Sequence, residues 1–564
     1  MGKRVLLVIP CLCVVLFLIH SLVKPINEVF QLHQYPSLAL PNGIPYFESS
    51  QHPNREYAHH HPTNTVTTLS APTWTNSTLL DLSEWLSLMT EIQWPQPAQD
   101  LTTADQATDP SQCTCSVVDP KETYQVGESV TLTVIAKDTK GRLKTYGGDF
   151  FQAKLYNTEL KASVYGQVTD NNNGTYTINL ALQWAGTATV SVRMIHSSEA
   201  VQVLARQRDQ DPDKVYFLGY FKSQGQVETV QCNAQESSRL LGDGTNCCCR
   251  FTDHLTEETW VCRKPSKLPC SAWVDHSFGG YQAKLSSLES NLLSRSSTDI
   301  PLKCKIVLNV QQQTQETPQR GKCLPSQHTP VPAGFYLQDN WISLMCDTQS
   351  FPSPQHISAC LKDKHILMMG DSTLRQWFEY LLQTVPTLKK LNFFTSQKSG
   401  PFEAVDVATN TRLEWRAHGL PLRTDKTPRA DLHYIASELE RLPGGERTVV
   451  VFTIWAHFTT YPLGTYVRRL ATIRQAVLSL LQRSQGLTLV VIKSANTGYK
   501  DVYGSDWLSW QLDCVLRAMF RNIPVVILDV WQMTSCHYAP DNIHPPLVVV
   551  RNEVELFLSF VCPK

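Results

Sequence analysis

The sequence predicts a multidomain protein: an antiparallel β-sandwich, then a cysteine-rich segment, then a carboxyl-terminal α/β domain with a parallel sheet. Three observations predict it. Apolar residues recur with period two between residues 113 and 205; nine cysteines crowd residues 206–346, where periodicity fades; and from 347 to 564 short β-rich runs alternate with helical stretches. The 564 residues leave room for such an arrangement at about 100–200 residues per domain. Hydrophobic residues make up 42% and charged residues 18%, against about 25% charged in an average soluble chain, so large cores are expected and global disorder is excluded. Fifty Lys and Arg balance fifty Asp and Glu. No net field gathers a polyanion, and nucleic acid is not an expected partner.

Residues 1–23 place Lys3 and Arg4 before an apolar run, interrupted by Pro10 and His20 and followed by no Ala-x-Ala site. A signal peptide and a short type II signal anchor both fit. The predicted location is therefore secreted or the Golgi lumen, with membrane contact only through this segment if it is uncleaved. Residues 24–112, rich in Pro, Thr and Gln and carrying His59-His60-His61, read as a largely disordered stalk with one helical patch at 79–94. Asn76-Ser77-Thr78 and Asn173-Gly174-Thr175 make Asn76 and Asn173 candidate glycosylation acceptors.

In residues 113–205, Val130, Leu132, Val134 and Ala136 share one face of a strand. Tyr176, Ile178, Leu180, Leu182 and Trp184 share another, and Ala188, Val190, Val192 and Met194 a third. Short strands and the turn-forming Asp170-Asn171-Asn172-Asn173-Gly174 predict an Ig-like antiparallel sandwich. It carries no acid, base or nucleophile set, which suits a spacer or a surface for an extracellular protein partner. Of 17 cysteines, Cys11 and Cys13 lie in the leader, leaving 15 for the exported part. In residues 206–346 the absence of any Cys-x-x-Cys pair and the oxidising compartment favour disulfides over zinc. No metal site is expected, and the odd count leaves one free thiol or one intermolecular bridge.

In residues 347–564, runs at 365–369, 448–454, 487–492 and 524–529 read as strands. Leu470, Ile473, Val477, Leu480 and Leu481 fall at helical spacing between two of them. Ligands of such sheets gather at the carboxyl ends of the strands. There Gly370-Asp371-Ser372 follows the first strand and opens a helix. This turn projects a hydroxyl beside the free N–H groups of a helix start, the geometry of a nucleophile. A serine needs a base, and Asp541-Asn542-Ile543-His544, after the last strand, supplies His544 with Asp541 three residues away to hold its tautomer. Asp529 is the rival orienter. Arg375, one turn beyond Ser372, suits either an anionic substrate or an internal ion pair.

Met368-Met369-Gly370-Asp371-Ser372-Thr373-Leu374-Arg375-Gln376-Trp377 and His544-Pro545-Pro546 resemble the SGNH/GDSL-type PC-esterases. The chain as a whole resembles the neurexophilin and PC-esterase domain (NXPE) family. The resemblance implies an SGNH-hydrolase-like domain with Ser372 as nucleophile, His544 as base and Asp541 as orienter. Gly419, in Arg416-Ala417-His418-Gly419, would be a second oxyanion donor. The Gly-x-Asn of those hydrolases is missing, and His457, in Trp455-Ala456-His457-Phe458, stands in its place. It further implies a secretory-pathway O-acyltransferase or esterase working through an acyl-serine on glycans, with sialic acid O-acetylation foremost. The partners would be a sialylated glycoprotein and acetyl-CoA or another acetyl donor as co-substrate, with no bound cofactor. The rival is a secreted neurexophilin-like binding protein with a degenerate esterase domain. A lipase would need a long apolar groove that the sequence does not display.

Overall fold

Alternation in residues 114–343 resolves into one eleven-stranded sheet in a computed structural model that describes residues 80–95, 97, 103–235, 247–312, 320–391 and 398–564. The leader, the triple histidine and Asn76 lie outside the described residues. The main path runs Thr114–Val117, Ser129–Ile135, Thr175–Ala181, Ala162–Asp170, Phe150–Asn157, Gly186–His196, Val307–Gln311, Tyr124–Gln125. All its pairings but the last are antiparallel. Val130, Leu132, Val134 and Ala136 face its core, as their spacing predicts. Strands from the cysteine-rich stretch join it. Val307–Gln311 pairs with Gly186–His196, and Gly334–Leu337 pairs with Ala162–Asp170.

A second, antiparallel sheet of six strands fills much of the stretch that lacks clear periodicity: Cys248–Thr252, Thr259–Arg263, Gln226–Ala234, Val215–Ser223, Trp273–Tyr281 and Thr427–Pro428. Its last strand comes from the α/β part of the chain, where Thr427 pairs with His276. The segment from Leu422 to Thr424 is thereby fastened to this sheet. His276 Nε2 lies 2.9 Å from Leu422 O, and Phe278 N donates to Thr424 O at 2.8 Å.

Six disulfides are formed: Cys115–Cys304, Cys232–Cys262, Cys247–Cys248, Cys249–Cys270, Cys323–Cys346 and Cys360–Cys562. Among the described residues three cysteines stay unbridged, Cys113, Cys514 and Cys536, where one free thiol or one intermolecular bridge is expected. Each occupies its own packing site. Burial pushes Cys113 and Cys536 up to about 12, so both stay protonated. Cys360–Cys562 closes a loop with a sequence separation of 202. Replacing both residues by Ala is expected to cost about 3–5 kcal/mol, read as a lower denaturant midpoint, because a loop that long loses much chain entropy on cross-linking.

The stretch read as a stalk contains a docked helix, Leu82–Glu91, started by a capping box between Asp81 and Glu84. Its Trp85, Leu88 and Met89 join the core beneath the α/β sheet, and Glu91 pairs with Arg521 at 2.7 Å.

The α/β sheet has seven strands in the order Lys389–Lys390, Phe402–Asp406, Thr411–Ala417, His365–Gly370, Thr448–Phe452, Leu489–Lys493, Val526–Leu528. The last five run parallel, and the first two form an antiparallel edge. Both faces are covered, which explains the near-continuous apolar runs. Ile366 and Met368 pack with Leu374, Trp377, Phe378 and Phe557, whereas Leu367 and Met369 pack with Leu470, Val477 and Leu512. Helices Ser372–Thr384 and Leu547–Val561 thus cover one face, and Leu463–Arg483 and Asp506–Met519 the other.

Candidate active site

Strand His365–Gly370 ends in the middle of this sheet, and helix Ser372–Thr384 begins two residues later. Gly370 is required by close approach: a Cβ there would lie 2.6 Å from Thr453 Cγ2 on the neighbouring strand's exit. Asp371 is the helix cap, its Oδ1 accepting Thr373 N at 2.9 Å and Thr373 Oγ1 at 2.7 Å. Its Oδ2 is buried with no partner. Ser372 is therefore the first helical residue, half-buried, its own N–H having no acceptor within the helix.

His544 arrives from the other end of the domain. Its Nε2 stands 2.7 Å from Ser372 Oγ, across 172 residues of sequence. The loop carrying it is gripped on both sides of the imidazole. Asn496 Nδ2 donates to Ile543 O at 2.8 Å, and Gln376, one turn along the Ser372 helix, donates to Pro545 O at 3.3 Å. Asn496 in turn accepts from the buried Lys493 Nζ, which also reaches Thr373 Oγ1 at 3.3 Å. Nucleophile turn and base loop are thus joined through one buried ammonium. Gly498 (φ +125°) packs directly beneath the loop.

The structure does not bring Asp541 onto His544. Its Oδ2 meets Lys500 Nζ at 3.0 Å, and Lys500 also meets the buried Asp506 at 2.5 Å. The three-residue offset puts two side chains on one side only in a helical turn, and residues 540–546 are not helical. Burial raises the Asp541 carboxyl, but Lys500 outweighs it and holds the group below its ordinary value. Asp541 is a tether for the loop. Asp529 is also engaged elsewhere, capping helix Val530–Cys536 through Gln532 N at 3.0 Å and lying 3.3 Å from Arg517.

Burial lowers the His544 imidazole from its ordinary 6.5, with Asp371 pulling it up and Arg375 pushing it down. It is neutral at physiological pH, so Nε2 can accept a proton from Ser372. Base strength requires the deprotonated form. The Ser372 reaction rate should therefore rise with pH to a plateau, with a midpoint below 6.5. Asp371→Asn keeps a capping oxygen and removes the charge, and should move that midpoint lower still; an unchanged or higher midpoint would show that Asp371 does not support the imidazolium.

Gly419 lies two residues past Ala417, the register partner of Gly370, in a left-handed conformation (φ +85°). It shares the rim with Ser372. His457 is buried on the loop leaving strand Thr448–Phe452, and its Nδ1 lies 2.9 Å from His418 Nε2. Burial holds His457 far below its ordinary value and His418 at about 3, so both are neutral. If His418 Nε2 donates, the one unpartnered buried atom is the His418 Nδ1 lone pair. The reverse would bury an orphan N–H, the costlier omission. His457 then carries its proton on Nε2, as a hydrogen-bond donor must. Sequence reasoning did not reach His418, Asn496, Gln376 or Lys500.

Arg375 is an internal pair and not a free cation: Nε meets Glu379 at 3.0 Å, and Nη1 donates to Lys398 O at 2.9 Å. Among the described residues no cluster of three or more His, Cys, Asp or Glu is arranged to hold a metal. Asn173 is exposed in the turn between Ala162–Asp170 and Thr175–Ala181, with Thr175 Oγ1 donating to its side chain at 2.7 Å.

Residues 341–562, which include Ser372, His544 and the rim around them, match the family model described as NXPE family member 4-like, C-terminal domain. Residues 80–289 match the model for neurexophilin. Among solved structures, an Escherichia coli adhesin, FdeC, is similar at 15% identity over 36% of this chain and 66% of that one, with a TM-score of 0.13. A score that low says nothing about fold. No described helix is long and apolar enough to cross a membrane. Six disulfides are consistent with a secreted or luminal protein, and the two matches, which follow one another along the chain, make it a secretory-pathway protein of the NXPE family.

Proposed function

We propose that this chain is an O-acyltransferase or esterase of the secretory pathway that works through an acyl-serine on glycans, with sialic acid O-acetylation as its foremost reaction. The carboxyl-terminal domain is read as SGNH-like and the amino-terminal sheet as Ig-like, offering a surface to an extracellular partner. One observation carries the reading: a serine oxygen at a strand-to-helix turn, 2.7 Å from the Nε2 of a neutral histidine.

In the proposed reaction His544 Nε2 takes the Ser372 proton as Oγ attacks the acyl carbonyl of acetyl-CoA or another acetyl donor. The Ser372 N–H, the Gly419 N–H and His457 Nε2–H would share the oxyanion. Collapse expels the thiolate or alkoxide, which leaves with the proton from His544. A sugar hydroxyl then gives its proton to His544 and attacks the acyl-serine, and Ser372 recovers the proton as the ester departs. With water as acceptor the outcome is hydrolysis.

A second reading, a binding protein with a degenerate esterase domain, is favoured by two features: Asp541 is drawn off to Lys500, and the usual Asn donor is replaced by His457. The test is to supply the secreted protein with acetyl-CoA and a sialylated glycan and to measure O-acetyl content, wild type against Ser372→Ala. Equal O-acetylation would establish the second reading. Treatment with an Asn-glycan-releasing enzyme should also shift wild type further than Asn173→Gln; equal shifts would show that Asn173 carries no glycan.

A further inference from the structure

We infer that Arg423 is the residue that receives the carboxylate of an acidic sugar acceptor at the Ser372 rim. The inference rests on the acyl-serine reading and supplies what Arg375, locked to Glu379, does not: a cation without an anion.

Arg423 lies six residues past the end of strand Thr411–Ala417, whose Ala417 is the register partner of Gly370. Its guanidinium reaches across to the loop leaving the strand on the other side of the nucleophile. There Nη2 approaches Thr460 Oγ1 at 3.3 Å and Thr459 Oγ1 at 3.4 Å, two and three residues past His457. Arg423 therefore bridges the two loops that flank the Ser372 turn. Its backbone is fixed from behind, since Leu422 O and Thr424 O are both held by the six-stranded sheet.

No carboxylate pairs with it among the described residues. By contrast Arg469 pairs with Glu258, Arg517 with Asp513 and Asp529, and Arg193 with Asp299. Arg423 Nε is buried and has no partner. Lys214 shares the same loop, its Nζ donating to Thr460 O at 2.9 Å, and burial draws it down to about 7, so it brings no carboxylate and little fixed charge. The neighbouring imidazoles of His457 and His276 are neutral through burial. Asp501, the carboxylate in its field, makes no bond to the guanidinium: its Oδ1 accepts Tyr503 N at 2.8 Å and Gly504 N at 3.1 Å. A half-buried guanidinium with only long hydroxyl contacts is an incomplete arrangement, and a carboxylate completes it with two parallel N–H···O bonds.

The test separates binding from chemistry. In a Ser372→Ala background, which cannot turn over, a sialylated oligosaccharide and its carboxyl methyl ester are titrated calorimetrically with and without Arg423→Gln and Arg423→Lys. Arg423→Gln is expected to weaken binding of the acid about 10- to 100-fold, the range of a lost charged hydrogen bond. The ester should bind as weakly to Arg423→Gln as to the Arg423 protein, and Arg423→Lys should recover part of the affinity for the acid. Equal affinity of the acid for the Arg423 and Gln proteins, or equal loss with acid and ester, overturns the assignment. A failure of Ser372-dependent O-acetylation would instead count against the acyl-serine reading and leave this titration decisive for Arg423.

Discussion

Ser372→Ala is expected to lower acyl transfer by about 10⁴-fold or more and to abolish labelling by a fluorophosphonate, because Ser372 Oγ is the hydroxyl that His544 Nε2 holds among the described residues. The replacement is benign for the fold. Ser372 is the first residue of its helix, the cap belongs to Asp371, and alanine is a good helix former, so the thermal midpoint should be unchanged. His544→Ala should lose a comparable factor, and the double variant should be no worse than either single one, since two groups that act as a unit are not additive. Multiplying losses would mean that serine and histidine serve separate steps. Full labelling of Ser372→Ala would remove the nucleophile from the mechanism altogether.

The pairing that underlies this prediction was legible in the sequence for a simple reason. Buried parallel strands announce themselves as apolar runs, and the residues just after them must lie at one rim. Ser372 follows such a run at once, whereas His544 comes after helix Val530–Cys536, on the loop that follows the last strand and that helix. Lys493 and Asn496 follow the run at 487–492 and could have been found by the same rule. The Arg375–Glu379 pair was visible as an i,i+4 spacing on a helix. Strand Val215–Ser223 also shows its alternation, with Val215, Phe217 and Phe221 inward, although the cysteines around it suggest an irregular segment. The destination of Asp541 was not legible. It depends on Lys500 arriving from a different loop, and local spacing carries no information about a long-range competitor for one carboxylate. The His418–His457 bond is hidden for the same reason: each residue alone looks like a packed strand-end histidine.

The competition for Asp541 leads to a second large effect at a residue with no side chain. Gly498→Ala is expected to slow acylation of Ser372 by about 100-fold or more, because a displacement of about 1 Å at a reacting group costs that much. A Cβ at 498 would fall 2.2 Å from Ile543 N and 2.4 Å from Asn542 C, both backbone atoms, so the loop bearing His544 must move. Gly225→Ala separates geometry from backbone strain: its φ of +79° is also left-handed, but open space surrounds it, so it should cost some stability and no rate. Asp541→Asn completes the comparison. A carboxylate that fixes the histidine tautomer is worth about 10⁴-fold, whereas one that tethers a loop through Lys500 should be worth about tenfold or less. If Asp541→Asn proves as damaging as Ser372→Ala while Gly498→Ala labels normally, the loop must close differently in the working enzyme, with Asp541 released from Lys500 to His544. If Gly498→Ala is the slower of the two, the base is held by the packing of its backbone, and this active site positions its histidine through Asn496, Gln376 and Gly498 rather than through an acid.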